Sequence, residues 1–136
     1  MKRRLGEPRA SRAWRCRDLH DSGAVVALDS DWPIAPYPPL GVMADARHRR
    51  PTRDLSRAPH GPEQALTSLE ALRGMTVNAA YAAGEEHETG RIAVGHRADL
   101  TVLAADPLTV PATEPAGVPV LSTLLDGDPT HRAASL

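Results

Sequence analysis

Gly23-Ala24-Val25-Val26-Ala27-Leu28-Asp29-Ser30-Asp31-Trp32-Pro33 is the stretch on which the fold turns. Ala24 to Leu28 is a short continuous apolar run with a helix-like segment before it and a Pro-rich loop after it. That pattern fits a strand buried on both faces, which belongs in a parallel sheet of an α/β protein. Asp31 follows the strand at once. A carboxylate at the C-terminal end of a parallel strand sits where α/β barrels build active sites, able to ligate a metal or take a proton from a metal-bound water. The plainer reading is an Asp opening a Pro-rich turn, where Asp is common.

Working outward, residues 9–22 lack Pro and Gly, and Gly23 follows. A helix is expected over Arg9–Ser22, with Ala13, Trp14, Leu19 and Cys16 as a loose apolar stripe. Four prolines between Asp29 and Leu40 make that segment a loop. Gly41–Arg50 is expected as a short helix. Gln64–Arg73 reads as an amphipathic helix, with Pro62 before it, Leu66, Leu69 and Leu72 near one face, and Gly74 ending it. Thr76 to Ala83 reads as a second short helix closed by Gly84. Beyond Gly84 the texture turns to β, with strands expected at Leu100–Leu103 and Val120–Leu125. Asp126-Gly127 is a hairpin signal, and Asp128–Arg132 is an edge strand carrying Pro129. A lone doubly buried strand needs parallel neighbours, and this chain does not obviously supply them.

The totals exclude several classes. The chain has 136 residues, 16 Lys+Arg against 17 Asp+Glu, and one cysteine. A net charge of −1 argues against a dedicated nucleic-acid binder. Charge is uneven: residues 1–57 hold 12 basic and 7 acidic side chains, residues 58–136 hold 4 and 10. Phe is absent, so the core must come from Leu, Val, Ala and a few Ile and Met, and a small Ala-heavy core implies low stability. Cys16 alone excludes an internal disulfide and a cysteine-based zinc site. With no apolar stretch after the basic start and no membrane-length run, the chain reads as soluble and cytoplasmic, with no membrane partner.

Four pieces in order carry a resemblance. Residues Gly23 to Pro33 look like the eighth barrel strand of metal-dependent amidohydrolases, more narrowly of amidohydrolase family 3. Thr76-Val77-Asn78-Ala79-Ala80 is similar to that family's helix after the barrel. Gly90-Arg91-Ile92-Ala93-Val94-Gly95-His96-Arg97-Ala98-Asp99-Leu100 resembles its G-x-I-x-x-G-x-x-A-D-L return into a small β-sandwich, and Leu125-Asp126-Gly127 its closing hairpin. Together they span roughly residues 5 to 132.

The resemblance implies an α/β fold: the C-terminal fragment of a TIM (β/α)8 barrel, its last strand and helices, then part of a small composite β-sandwich. Residues 1–85 would be the incomplete barrel end and residues 86–136 part of the sandwich. It implies hydrolysis of a non-peptide C–N bond in a small amide, formamide or cyclic imide, with one or two divalent metals, zinc foremost. Asp31 would be metal ligand and general base, and Trp32 and Pro33 would shape the pocket mouth. The implied H-x-H pair, the bridging carboxylate or carbamylated lysine, and the two later histidines have no match among the six histidines or Lys2. This chain alone is therefore expected to bind no metal and hydrolyse nothing. The alternative is a non-catalytic interaction module, or a subunit completing a split barrel with a partner chain.

Weaker candidates remain. Asp29, where the family usually has Gly, would share a strand face with Asp31; it reads either as an extra metal ligand or as a tolerated substitution. Arg47, Arg49, Arg50, Arg53 and Arg57 read as a solvated basic face that could touch phosphate. Glu85-Glu86-His87-Glu88 reads as a solvated loop, Cys16 as an incidental thiol, and Gly90 and Gly95 form no phosphate loop.

Overall fold

The computed structural model describes residues 2–134, with side chains from residue 4 onward. The termini of both expected units, residue 1 and residues 135–136, lie outside the described residues. Helices α1 (Lys2–Leu5), α2 (Glu7–Ala10), α3 (Cys16–Asp21), α4 (Pro39–His48), α5 (Ser68–Met75) and α6 (Val77–Ala83) precede strands β1 (Leu100–Leu103), β2 (Val120–Leu125) and β3 (Asp128–Arg132).

The helix expected over Arg9–Ser22 is two helices. Trp14 takes the left-handed conformation (φ 52°) between them. Its carbonyl accepts from the Arg49 guanidinium at 2.7 Å and from the Cys16 N–H at 2.9 Å, so it is used outside any helical ladder. The helix expected from Gln64 begins later. Pro62–Gln64 makes only a 3-10 turn, and Thr67 opens α5 through a capping box: its hydroxyl accepts from the Glu70 N–H while the Glu70 carboxylate accepts from the Thr67 N–H. Gly74 does not end α5. It lies inside it, where a Cβ would stand 2.8 Å from Leu28 Cγ, so its missing side chain makes room for Leu28.

Met43, Ala46, Leu66 and Ala71 form the core of the helical part, flanked by Leu28, Leu40, Leu72 and Met75. Five of the seven buried apolar residues among those described are alanines, as the composition anticipates. A double-fork ion pair ties α3 to α5: the Arg17 guanidinium donates to Glu70 Oε1 at 2.9 Å and Oε2 at 2.5 Å, and also to the Ala65 carbonyl. Beside it Gln64 donates to Asp18 at 3.0 Å.

The strands pair as one antiparallel sheet in the order β1-β2-β3. The hairpin falls at Asp126-Gly127, both with positive φ, as Asp-Gly chemistry requires. Pro129 sits on the edge strand, opposite Leu124 at a register shift. This is the only sheet among the described residues, so the second layer of the expected sandwich is not formed by them. The loop between β1 and β2 packs on α4, where the Arg47 guanidinium donates to the Pro107 and Val110 carbonyls.

Residues 24–28 are extended but join no sheet. The Leu28 N–H donates to the Gly74 carbonyl at 2.9 Å, and the Asn78 side-chain amide donates to the Val26 carbonyl at 3.0 Å. Among the described residues the N–H groups of Val25, Val26 and Ala27 have no acceptor, and Val25 is 53% exposed. The expected doubly buried strand is therefore not formed among the described residues: Ala24, Val25 and Ala27 are exposed, and the segment rests on α5 and α6 through Leu28 and Val26.

Candidate functional site

The site grows from the end of this extended segment. Leu28 is anchored by α5, and the chain turns directly after it. The Ala35 N–H donates to the Ser30 carbonyl at 3.2 Å and the Ile34 N–H to the Asp31 carbonyl at 2.8 Å. Asp31 sits at φ 50°, a conformation non-glycine residues rarely hold, and the Trp32–Pro33 bond is cis. Two cavities flank the turn. The smaller, about 220 Å³, is lined by Leu28, Asp29, Ser30, Tyr37, Val42 and Met75 among others. The larger, about 1260 Å³, is open to solvent and lined on this side by Leu28, Ile34, Ala35 and Pro36.

Asp31, Trp32 and Pro33 line neither cavity, and all three are exposed, Trp32 at 67%. Asp29 and Asp31 do not make the expected same-face strand pair. Asp31 has left the extended conformation, and the Asp29 carboxylate accepts from the Ser30 N–H at 2.6 Å while lining the smaller cavity.

The structure divides the basic face: Arg53 and Arg57 are exposed, as expected, and Arg47 and Arg49 are not. Arg47 and Arg49 are half-buried and bound to backbone carbonyls rather than solvated: Arg49 reaches the Trp14 and His60 carbonyls and approaches Cys16 Sγ at 3.7 Å. Arg50, Arg53 and Arg57 line the larger cavity. In the Glu85–Glu88 turn, Glu85 and Glu88 pair with Arg97 at 3.3 and 3.6 Å. Among the described residues no three His, Cys, Asp or Glu side chains gather to hold a metal.

Asn78 and Gly74 are the positioning groups that reading the sequence for chemistry missed. Both bind the backbone of residues 24–28, just before the turn that holds Asp31. The Thr76–Ala80 stretch held the signal, since an Asn in an otherwise apolar helix facing a strand has a backbone group to satisfy.

An extended segment followed by an aspartate, backed by two helices and succeeded by a small antiparallel sheet, makes a mixed helix-and-strand arrangement. The chain belongs to the amidohydrolase family, which it matches over residues 1–131. It is 40% identical over 111 residues to the N-substituted formamide deformylase of Arthrobacter pascens, covering 82% of this chain and 20% of that protein. It is 33% identical over 92 residues to the imidazolonepropionase of Geobacillus sp. (strain WCH70), covering 68% of this chain and 19% of that protein. Its fold is similar to that of an amidohydrolase from Thermotoga maritima MSB8, with a TM-score of 0.66 and 23% identity over 88% of this chain and 26% of that one. The chain therefore spans about a fifth of the length of these curated relatives and about a quarter of the solved structure. Among the described residues no helix is long and apolar enough to cross a membrane.

Proposed function

We propose that this chain supplies the last barrel strand, its terminal aspartate and the closing helices of a metal-dependent hydrolase of non-peptide C–N bonds. The rest of the barrel would come from polypeptide outside this chain. In this reading residues 1–85 are the barrel end and residues 86–136 part of an accessory β-sandwich. The observation that carries it is the segment 24–28, with bare edges, helices behind it and Asp31 in the turn that follows, within a chain that matches the family over residues 1–131. The substrate class, a small formamide, amide or cyclic imide, rests on the formamide deformylase and imidazolonepropionase likeness.

The residues of this chain do not by themselves fit the metal that the family implies. A catalytic zinc takes about three protein ligands, and Asp31 stands without a second or third donor among the described residues. Hydrolysis is accordingly not assigned to this chain alone. What its residues do is place one carboxylate: Gly74 and Asn78 hold the strand, and the Ser30–Ala35 turn presents Asp31.

The test is complementation. The chain is co-expressed with the H-x-H-bearing remainder of the formamide deformylase, lacking the region that this chain matches. A stable complex that hydrolyses an N-substituted formamide, with Asp31→Asn still assembling but inactive, is the expected result. A complex whose activity ignores Asp31→Asn removes the aspartate from the site. Failure to assemble removes the barrel-completing role.

A further inference from the structure

We propose that the larger cavity, between α1–α3, the C-terminal end of α4 and the loop over residues 51–63, is a binding site for a small organic oxyanion: a carboxylate or phosphate ester with a compact apolar body. This inference does not use Asp31, but the cavity lies within the residues read above as the barrel end and shares Leu28 and Ile34 with the segment that leads to Asp31.

Five guanidiniums line the cavity, those of Arg4, Arg49, Arg50, Arg53 and Arg57, against three carboxylates. One of those carboxylates, Asp45, already accepts from the Thr52 N–H at 2.7 Å. Arg49 is consumed structurally, as described above. The others are not. Arg50 gives Nη1 to the Leu55 carbonyl at 2.8 Å, and its Nε is buried with no acceptor. The side chains of Arg4, Arg53 and Arg57, all three exposed at the cavity's rim, make no hydrogen bond or ion pair among the described residues. Unneutralised guanidiniums facing one concave, partly apolar space raise its potential and draw an anion. Their planar fork matches the paired oxygens of a carboxylate or phosphate.

Apolar side chains of the same cavity supply the second half of the recognition. Leu5, Leu28, Ile34, Pro36 and Val42 line it, with Trp14 standing edge-on to His60 at 5.8 Å between the rings. A bare inorganic ion leaves these side chains unused, and an uncharged hydrocarbon leaves the guanidiniums unused. A head-and-body ligand uses both. A nucleic acid is disfavoured by the net charge of −1.

The test is fluorescence titration of the full chain carrying Trp32→Phe, which leaves Trp14 as sole indole reporter. The probes are hexanoate, hexyl phosphate, hexanol and inorganic phosphate. Saturable quenching by hexanoate or hexyl phosphate is expected, at least tenfold tighter than by hexanol or inorganic phosphate. Which of the two binds tighter assigns the head group. Arg53→Gln with Arg57→Gln should weaken it at least tenfold at an unchanged melting temperature, whereas Arg12→Gln, exposed and outside the cavity, should leave it unaltered. Three results overturn the proposal: no saturable response, equal binding by hexanol, or a double variant that binds like the parent.

Discussion

Gly90 packs so closely that no side chain fits. It has φ +84°, and a Cβ there would lie 2.6 Å from Ala80 Cβ and 3.2 Å from Val77 Cα. Gly84, with φ +75°, has nothing within 4 Å of the same position. Gly84→Ala should therefore cost only the left-handed backbone, about 1–2 kcal/mol. Gly90→Ala adds overpacking and should cost about 3 kcal/mol or more. Urea unfolding of the two variants separates the terms, and equal midpoints would show that Gly90 is not seated against α6. The same close reading fixes what was legible at the site. Asp31 stands out in the sequence because a carboxylate follows an apolar run. Its left-handed backbone and the diversion of Asp29 into the smaller cavity do not, because both depend on a turn closed by the Ser30 and Asp31 carbonyls.

α5 is an element whose boundary is set by one capping box. Thr67→Ala removes the hydroxyl that accepts from the Glu70 N–H and should cost about 1 kcal/mol, with Thr67→Ser restoring it; thermal melts check both. Glu70 also faces Arg17, whose hydrogen bonds hold its carboxyl down at about 2. A carboxyl depressed in the fold stabilises it above the unfolded value near 4.5, and that contribution is lost as pH falls from there toward 2. Glu70→Gln keeps the side-chain acceptor for the Thr67 N–H but should flatten this limb of the stability–pH curve. His48 acts in a higher window. Burial lowers its pKa, Arg50 and Arg47 add to that, and Asp45 opposes them. The unfolded chain then takes up the proton first, so stability should begin to fall as pH drops below about 6.5, a limb that His48→Gln should remove. The strands and α6 were readable because Asp-Gly, Pro129 and Gly84 act locally. α5 was misplaced because Pro62 and Gly74 looked like its ends. The true start is a Thr-x-x-Glu pair three residues apart, and Gly74 serves Leu28 instead.

At the scale of the molecule, surface decides what elements alone do not. The chain exposes 9261 Å². A compact monomer of 14.5 kDa would expose about 6,900 Å². The excess of roughly 2,400 Å² matches one side of an obligate interface, where both sides together bury about 2,000–5,000 Å². Part of that surface is the bare strand, whose Val25, Val26 and Ala27 N–H groups find no acceptor, while Trp32, Ile34 and Tyr37 beside it are largely exposed. The sequence shows the gap, an apolar run without parallel neighbours, but not how much surface it leaves open. The apolar run reads as a doubly buried strand, yet Ala24, Val25 and Ala27 are exposed, since a run of residues does not encode what packs on it. Hydrogen exchange reads the consequence directly. In the isolated chain the amides of Val25, Val26 and Ala27 should exchange close to the unstructured rate, while Leu28, bonded to Gly74, is slowed. Addition of the complementing barrel polypeptide should protect Val25, Val26 and Ala27 together, since parallel neighbours on both sides engage alternate amides of one strand. Protection of these amides already in the isolated chain would mean that the strand has a partner in a second copy, and that the excess surface is spent on self-association rather than on completing a barrel.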